Sequence, residues 1–308
     1  MSPQRPDTAL YFNEVVSLGR NRAYLAGHFY KHEGTDIELT RIRKYEDGKW
    51  GSLGDVQGIA RALSVTETPN RRLTVLCSRG QVWERSASGI HEDQIPIRGH
   101  GQLFGMRQIG GTLYACGVHE QVFRHDGHSW VSHDQGVYTP MKQAPDRMFF
   151  AIDGTSSQDI YCVGMGGVIA HYDGTRWTYL DSPTNYDLNM VLCRSPGEVY
   201  VAGNQGGFFH GHQPGRWNFA GVQGSEEIFT GMAWFQGLIY LCSQRKLYTF
   251  DGNTLRETSP AIGDNVMFYR LSATETDLWA TSAREEIYHF DGKDWERLIS
   301  PDSQPHTP

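Results

Sequence analysis

The sequence predicts an all-β fold, a seven-bladed β-propeller of four-stranded antiparallel blades. Three observations carry that reading: a turn motif recurring roughly every forty residues, an apolar strand motif ahead of each copy, and a composition suited to short strands joined by tight turns. The turn motif is clearest as Asp47-Gly48-Lys49-Trp50, Asp126-Gly127-His128-Ser129-Trp130, Asp173-Gly174-Thr175-Arg176-Trp177 and Asp291-Gly292-Lys293-Asp294-Trp295. Weaker copies read Pro214-Gly215-Arg216-Trp217, Asp251-Gly252-Asn253-Thr254-Leu255 and Ser88-Gly89. Successive turn glycines lie 41, 38, 47, 41, 37 and 40 residues apart, and five of the eight tryptophans directly follow these turns.

The strand motif runs Ala23-Tyr24-Leu25-Ala26-Gly27, Thr74-Val75-Leu76-Cys77-Ser78, Leu113-Tyr114-Ala115-Cys116-Gly117 and Ile160-Tyr161-Cys162-Val163-Gly164. It continues as Val199-Tyr200-Val201-Ala202-Gly203, Ile239-Tyr240-Leu241-Cys242-Ser243 and Leu278-Trp279-Ala280-Thr281-Ser282. Side chains alternate along a strand, so the second and fourth positions share one face and the third points away. All three are apolar or small, so both faces are buried. Radially stacked blades, each covered by a neighbour on either side, meet that requirement. Each repeat then supplies four strands, with the Asp-Gly turn joining the third to the fourth.

The spacing divides one domain, 1–300, into blades near residues 10–54, 55–94, 95–133, 134–181, 182–220, 221–258 and 259–300. Every blade is continuous in the chain, with strands at Phe12–Leu18 opening the first and Trp295–Ile299 ending the last. Residues 301–308, polar and Pro-rich, are expected to be a disordered or loosely attached tail.

The run Tyr161-Cys162-Val163-Gly164 followed by His171-Tyr172-Asp173-Gly174-Thr175-Arg176-Trp177 resembles a kelch repeat, with its aromatic second strand, Tyr-Asp third strand and Trp fourth strand. The Asp-Gly-x-x-Trp turn also resembles the Asp-box of sialidase-type propellers. The paired glycines that end the second kelch strand are missing, since Gly166-Gly167 and Gly206-Gly207 fall one turn later. The resemblance implies the fold and no particular activity, because propellers host many.

Composition bounds the function. Net charge is −7, which opposes nucleic-acid binding, and no apolar run reaches the roughly 20 residues of a membrane helix. The five cysteines include no Cys-x-x-Cys pair, and the first residues lack the apolar stretch of an export signal, so a cytoplasmic location is expected. His210-Gly211-His212 places two imidazoles on one strand face, without further Cys or carboxylate ligands; neither a metal nor a cofactor is expected. His28 and His32 are read as surface residues of a loop from His28 to Ile37. A sialidase-like site would need converging arginines, but Arg61, Arg107, Arg194 and Arg270 occupy different offsets in their repeats. No catalytic motif is present.

A single site requires residues that break the repeat, so function is sought in the loops. The two-to-three and four-to-one connections share one face, which carries the long segments His28–Ile37, Ile90–Gln102 and Ser132–Arg147. Across the four-to-one connections, acids outnumber bases by seven. These observations predict non-catalytic binding of a macromolecular partner, as in an inhibitor or immunity-type protein or an assembly scaffold; the alternative is a carbohydrate-binding or glycan-processing propeller. The expected partner is a protein with a basic surface, contacted by Asp181, Asp187, Glu226, Glu227 and Asp264, with Tyr138 and Tyr186 as aromatic anchors.

Overall fold

Strand two of a blade must bury both faces, and the structure shows what covers them. The computed structural model describes residues 6–67, 70–99, 101–140, 142–143, 146–213, 215–260, 262 and 266–303, excluding the side chains of His212 and Gln213. It is a β-propeller of seven blades, spanning 10–57, 60–94, 103–132, 149–179, 188–219, 231–258 and 270–299. Each blade is an antiparallel sheet of four consecutive strands, so none borrows a strand from the other end of the chain. In blade four these are Phe149–Ser156, Asp159–Gly164, Ile169–Tyr172 and Trp177–Tyr179.

The chain packs as two compact units. One comprises 64–230, with blades three to five and most of blade two; the other comprises 1–63 and 231–308, with blades one, six and seven. In the first unit, Tyr114, Cys116, Phe149, Cys162 and Trp177 form one buried cluster between blades three and four. Tyr161, Val163, Leu188, Val201 and Phe209 form the next, between blades four and five. The apolar second strand is therefore buried against a blade on each side, as its lack of alternation requires.

Repeat positions explain themselves in contacts. Trp177 donates its indole N–H to the His133 carbonyl at 2.6 Å, and Trp217 donates to the Asp181 carbonyl at 3.1 Å. These two tryptophans thus tie their blades to the segment leaving the previous one. The glycine closing strand two is equally constrained: a Cβ on Gly164 would overlap the Met148 carbonyl, and one on Gly203 the Asp187 carbonyl. His171 stacks on Tyr161 and bonds Asp159 at 2.8 Å, while His289 packs against Trp279 and bonds Asp277 at 3.0 Å. The histidine of strand three is a structural residue.

Two kinds of Asp-Gly turn occur. In blades three, four, six and seven, Oδ1 of Asp126, Asp173, Asp251 and Asp291 accepts the N–H groups two and three residues on. Those bonds favour the charged carboxylate and lower its pKa, to about 2 for Asp251. Blade one has one residue fewer, so Asp47 and Gly48 both take left-handed φ in a two-residue turn.

In the second unit, blades seven and one meet through Leu10, Phe12, Tyr45, Trp279 and Ile287. Three expectations are corrected there. Pro301–Ser303 is no loose tail; it forms a 3₁₀ turn in which Asp302 and Ser303 are buried. Asp302 binds Arg41 and Arg43 of blade one, while Ser303 Oγ accepts the Leu10 N–H at 3.4 Å. Residues 304–308 lie outside the described residues. One of the four-to-one connections counted as acidic, Ser52–Gly58 after blade one, is largely strand: the fourth strand extends over Lys49–Gln57, and its Asp55 pairs with Arg41 at 2.8 Å. His28 is buried in the strand Arg22–Phe29, since that strand runs past the expected loop start; only His32 lies in the connection.

Candidate functional site

The acidic loops of the first unit meet through one turn. Blade five joins its second and third strands across Asn204–Gly207, where Gln205 and Gly206 take left-handed φ. On one side, the Asn204 N–H donates to the Asp187 carbonyl at 2.9 Å; on the other, the Gly206 N–H donates to the Glu227 carbonyl at 2.7 Å. Asn189 locks the turn by donating to Asn204 Oδ1 at 3.0 Å and to the Phe229 carbonyl at 3.1 Å. Asp187 and Glu227 thus flank one rigid element, although forty residues separate them in sequence.

Asp187 also holds a neighbour. Its Oδ1 accepts the Gly166 N–H at 2.8 Å, joining it to the Met165–Gly167 turn of blade four. The structure therefore gives it an architectural task beside the partner contact expected from the sequence. Asp181 and Glu226 are exposed, and Asp187 and Glu227 are half-buried. Among these charges stand two large apolar side chains in solvent, Tyr186 at 52% exposure and Ile228 at 46%. Sequence reasoning missed Ile228, although its place directly after Glu226-Glu227 signalled it. Carboxylates around solvated apolar anchors provide both long-range attraction and contact area.

Tyr138 is not solvated like those anchors. It is half-buried beneath the Arg98 guanidinium, 3.7 Å from its ring centroid, and Arg98 in turn pairs with Asp134. The long 132–147 connection is further held by Glu120, which is wholly buried. Arg147 reaches Glu120 Oε2 at 2.9 Å, and the Tyr179 and Thr139 hydroxyls donate to it at 2.8 and 3.2 Å. Burial raises the pKa of Glu120 while those donors oppose the rise. This buried network fixes the connection at Thr139 and Arg147. Asp264 lies outside the described residues.

Two of the four first-strand arginines form ion pairs, one in each unit. Arg107 pairs with Asp153 at 3.2 Å in one, and Arg270 with Glu14 at 3.1 Å in the other. Such pairing weakens the case for a sialidase-like carboxylate clamp. His210 stacks on Tyr200, and among the described residues no three His, Cys, Asp or Glu side chains cluster closely enough to hold a metal.

An immune protein of Pseudomonas aeruginosa, Tsi7, is 31% identical over 299 residues, covering 93% of this chain and 97% of its own. The chain belongs to the Tsi7 immune-protein family. Membership agrees with a non-catalytic propeller of the inhibitor or immunity type. No family model matches. Solved structures with the same fold include the WD40 propeller domain of Doa1, at TM-score 0.65 and 11% identity, covering 97% of both chains. YCF48 from Cyanidioschyzon merolae gives 0.64 and 10%, covering 98% of both. At these identities the likeness extends to the fold alone.

Proposed function

We propose that this chain is an immunity protein that binds and neutralises a protein toxin through the acidic loop face of blades four and five. The observation that carries the reading is the full-length relationship to an immune protein. The face supports it: Asp181, Asp187, Glu226 and Glu227 offer negative charge beside Tyr186 and Ile228, on loops fixed by the Asn204–Gly207 turn. The matching partner surface is basic with an apolar recess, and binding takes place in the cytoplasm.

The test is capture of the partner from the native source, identified by mass spectrometry, followed by binding kinetics over a salt series. Exposed charges are screened over about 8 Å at physiological ionic strength, so association should slow as salt rises. Glu226→Lys/Glu227→Lys should reduce association roughly tenfold at low salt and change dissociation less. A salt-independent rate, unmoved by the charge reversal, would refute the acidic face as the docking site.

A further inference from the structure

A cavity of about 570 Å³ opens in the unit that holds blades one, six and seven. Its apolar floor is formed by Pro260, Val266 and Met267, all half-buried, over Leu247 and Phe268, both buried. Its walls carry Arg245 and Lys246 from the two-to-three connection of blade six and Arg284 from that of blade seven. Lys246 pairs with Glu257 at 3.5 Å. The Arg245 and Arg284 side chains have no hydrogen-bond or ion-pair partner among the described residues, and both are exposed. We infer that this cavity is a binding site for an organic anion, a phosphate or carboxylate joined to an apolar body.

Three physical features lead there. Its volume falls in the roughly 300–1,000 Å³ range of small-ligand sites. Two guanidinium forks are matched to the paired oxygens of phosphate or carboxylate, and they are weakly hydrated enough to use in a partly apolar recess. The scaffold beneath is also fixed before any ligand arrives. Phe268 donates its N–H to the Gln244 carbonyl at 3.1 Å and packs its ring against Tyr288 and Trp295. The Arg284 N–H donates to Ser282 Oγ at 3.1 Å, and the Arg284 carbonyl accepts the Phe12 N–H at 2.9 Å. The lining carries three cationic side chains against one carboxylate, the opposite sign to the toxin-facing loops. An inorganic ion would leave the apolar floor unused; an aryl or alkyl anion covers it.

The probes are phenyl phosphate, N-acetylphenylalanine and inorganic phosphate, titrated by calorimetry into the full chain. The two organic anions should bind with one site per chain, and inorganic phosphate at least about tenfold more weakly. R245A/R284A should weaken the organic anions by about tenfold or more, whereas R256A, which removes an exposed arginine outside the cavity, should leave them unchanged. Since the substituted residues are exposed, melting temperatures should stay near wild type and separate lost binding from lost folding. The source of the natural anion is then read from the captured toxin. If phenyl phosphate competes with the toxin and R245A/R284A weakens that complex, the cavity receives an acidic residue of the partner. If neither holds, it receives a free small molecule. Absence of saturable binding up to about 10 mM, or equal loss in R256A, would overturn the inference and leave the toxin-binding proposal standing.

Discussion

Removing the carboxylate of Asp302 should expose how the last residues hold blade seven to blade one. Asp302 is 7% exposed and accepts from Arg41, Arg43 and Ser300 Oγ. Arg41 keeps its paired bonds to Asp55 at 2.8 and 2.9 Å, so its loss is small. Arg43 is different: its side chain is 13% exposed, and among the described residues no other carboxylate reaches it. Breaking a buried pair by removing one partner costs roughly 3–5 kcal/mol, and the residual exposure of Arg43 reduces this to about 2–3 kcal/mol. At roughly 2–4 °C per kcal/mol, Asp302→Ala should lower the melting temperature by about 4–12 °C. The assay is urea and thermal denaturation of wild type, D302A, R43M and the double variant. Because the main penalty is a stranded charge, D302A/R43M should recover most of the loss. A D302A protein within about 0.5 kcal/mol of wild type, or a double variant no better than D302A, would refute the reasoning.

Trp177→Ala should cost roughly 3–5 kcal/mol by emptying a packed site, and Trp177→Phe should isolate the bond to His133 at about 1 kcal/mol plus the volume difference; urea denaturation measures both. Asp187→Ala should destabilise by about 1 kcal/mol in the same assay, more than a solvated charge would, because the Gly166 N–H loses its acceptor. Burial and the Arg61 charge lower the His28 pKa from 6.5 to about 4. The unfolded chain therefore binds the proton first as pH falls, so stability is complete above about 6.5 and declines toward 4, by roughly 3 kcal/mol in all. His28→Asn should flatten that part of the stability profile, and an unchanged slope would assign the acid sensitivity elsewhere.

The repeat was legible because it satisfies conditions every blade shares. Trp177 and Trp217 follow a turn in sequence and make the same inter-blade bond in space, so spacing alone located both. Gly164 and Gly203 were legible for a similar reason, a carbonyl that leaves no room for a Cβ. The loop face was less so. Charge counting found Asp187 and Glu227, but their junction depends on left-handed backbone at Gln205 and Gly206, which no local pattern announces. Tyr138 looked available because the stacking cation, Arg98, comes from another blade's connection. Asp302 was hidden in the same way: a polar C-terminal segment has the composition of a tail, and its partners lie some 260 residues earlier.

Because every blade is made of consecutive strands, no backbone ladder runs across the junction of blades seven and one. The joint depends on an apolar seam, the Phe12–Arg284 backbone bond, the Arg270–Glu14 and Asp302 ion pairs, and side-chain bonds to the Ser17, Arg20 and Asn21 amides. A propeller closed by a shared sheet must break a row of hydrogen bonds to part there. Here the two blades can separate with both sheets intact, which makes the junction a natural line for subglobal opening. Native-state amide exchange should report it: the Phe12 and Leu10 amides, bonded across the joint, should exchange at a lower free energy than those inside the sheet of blade four.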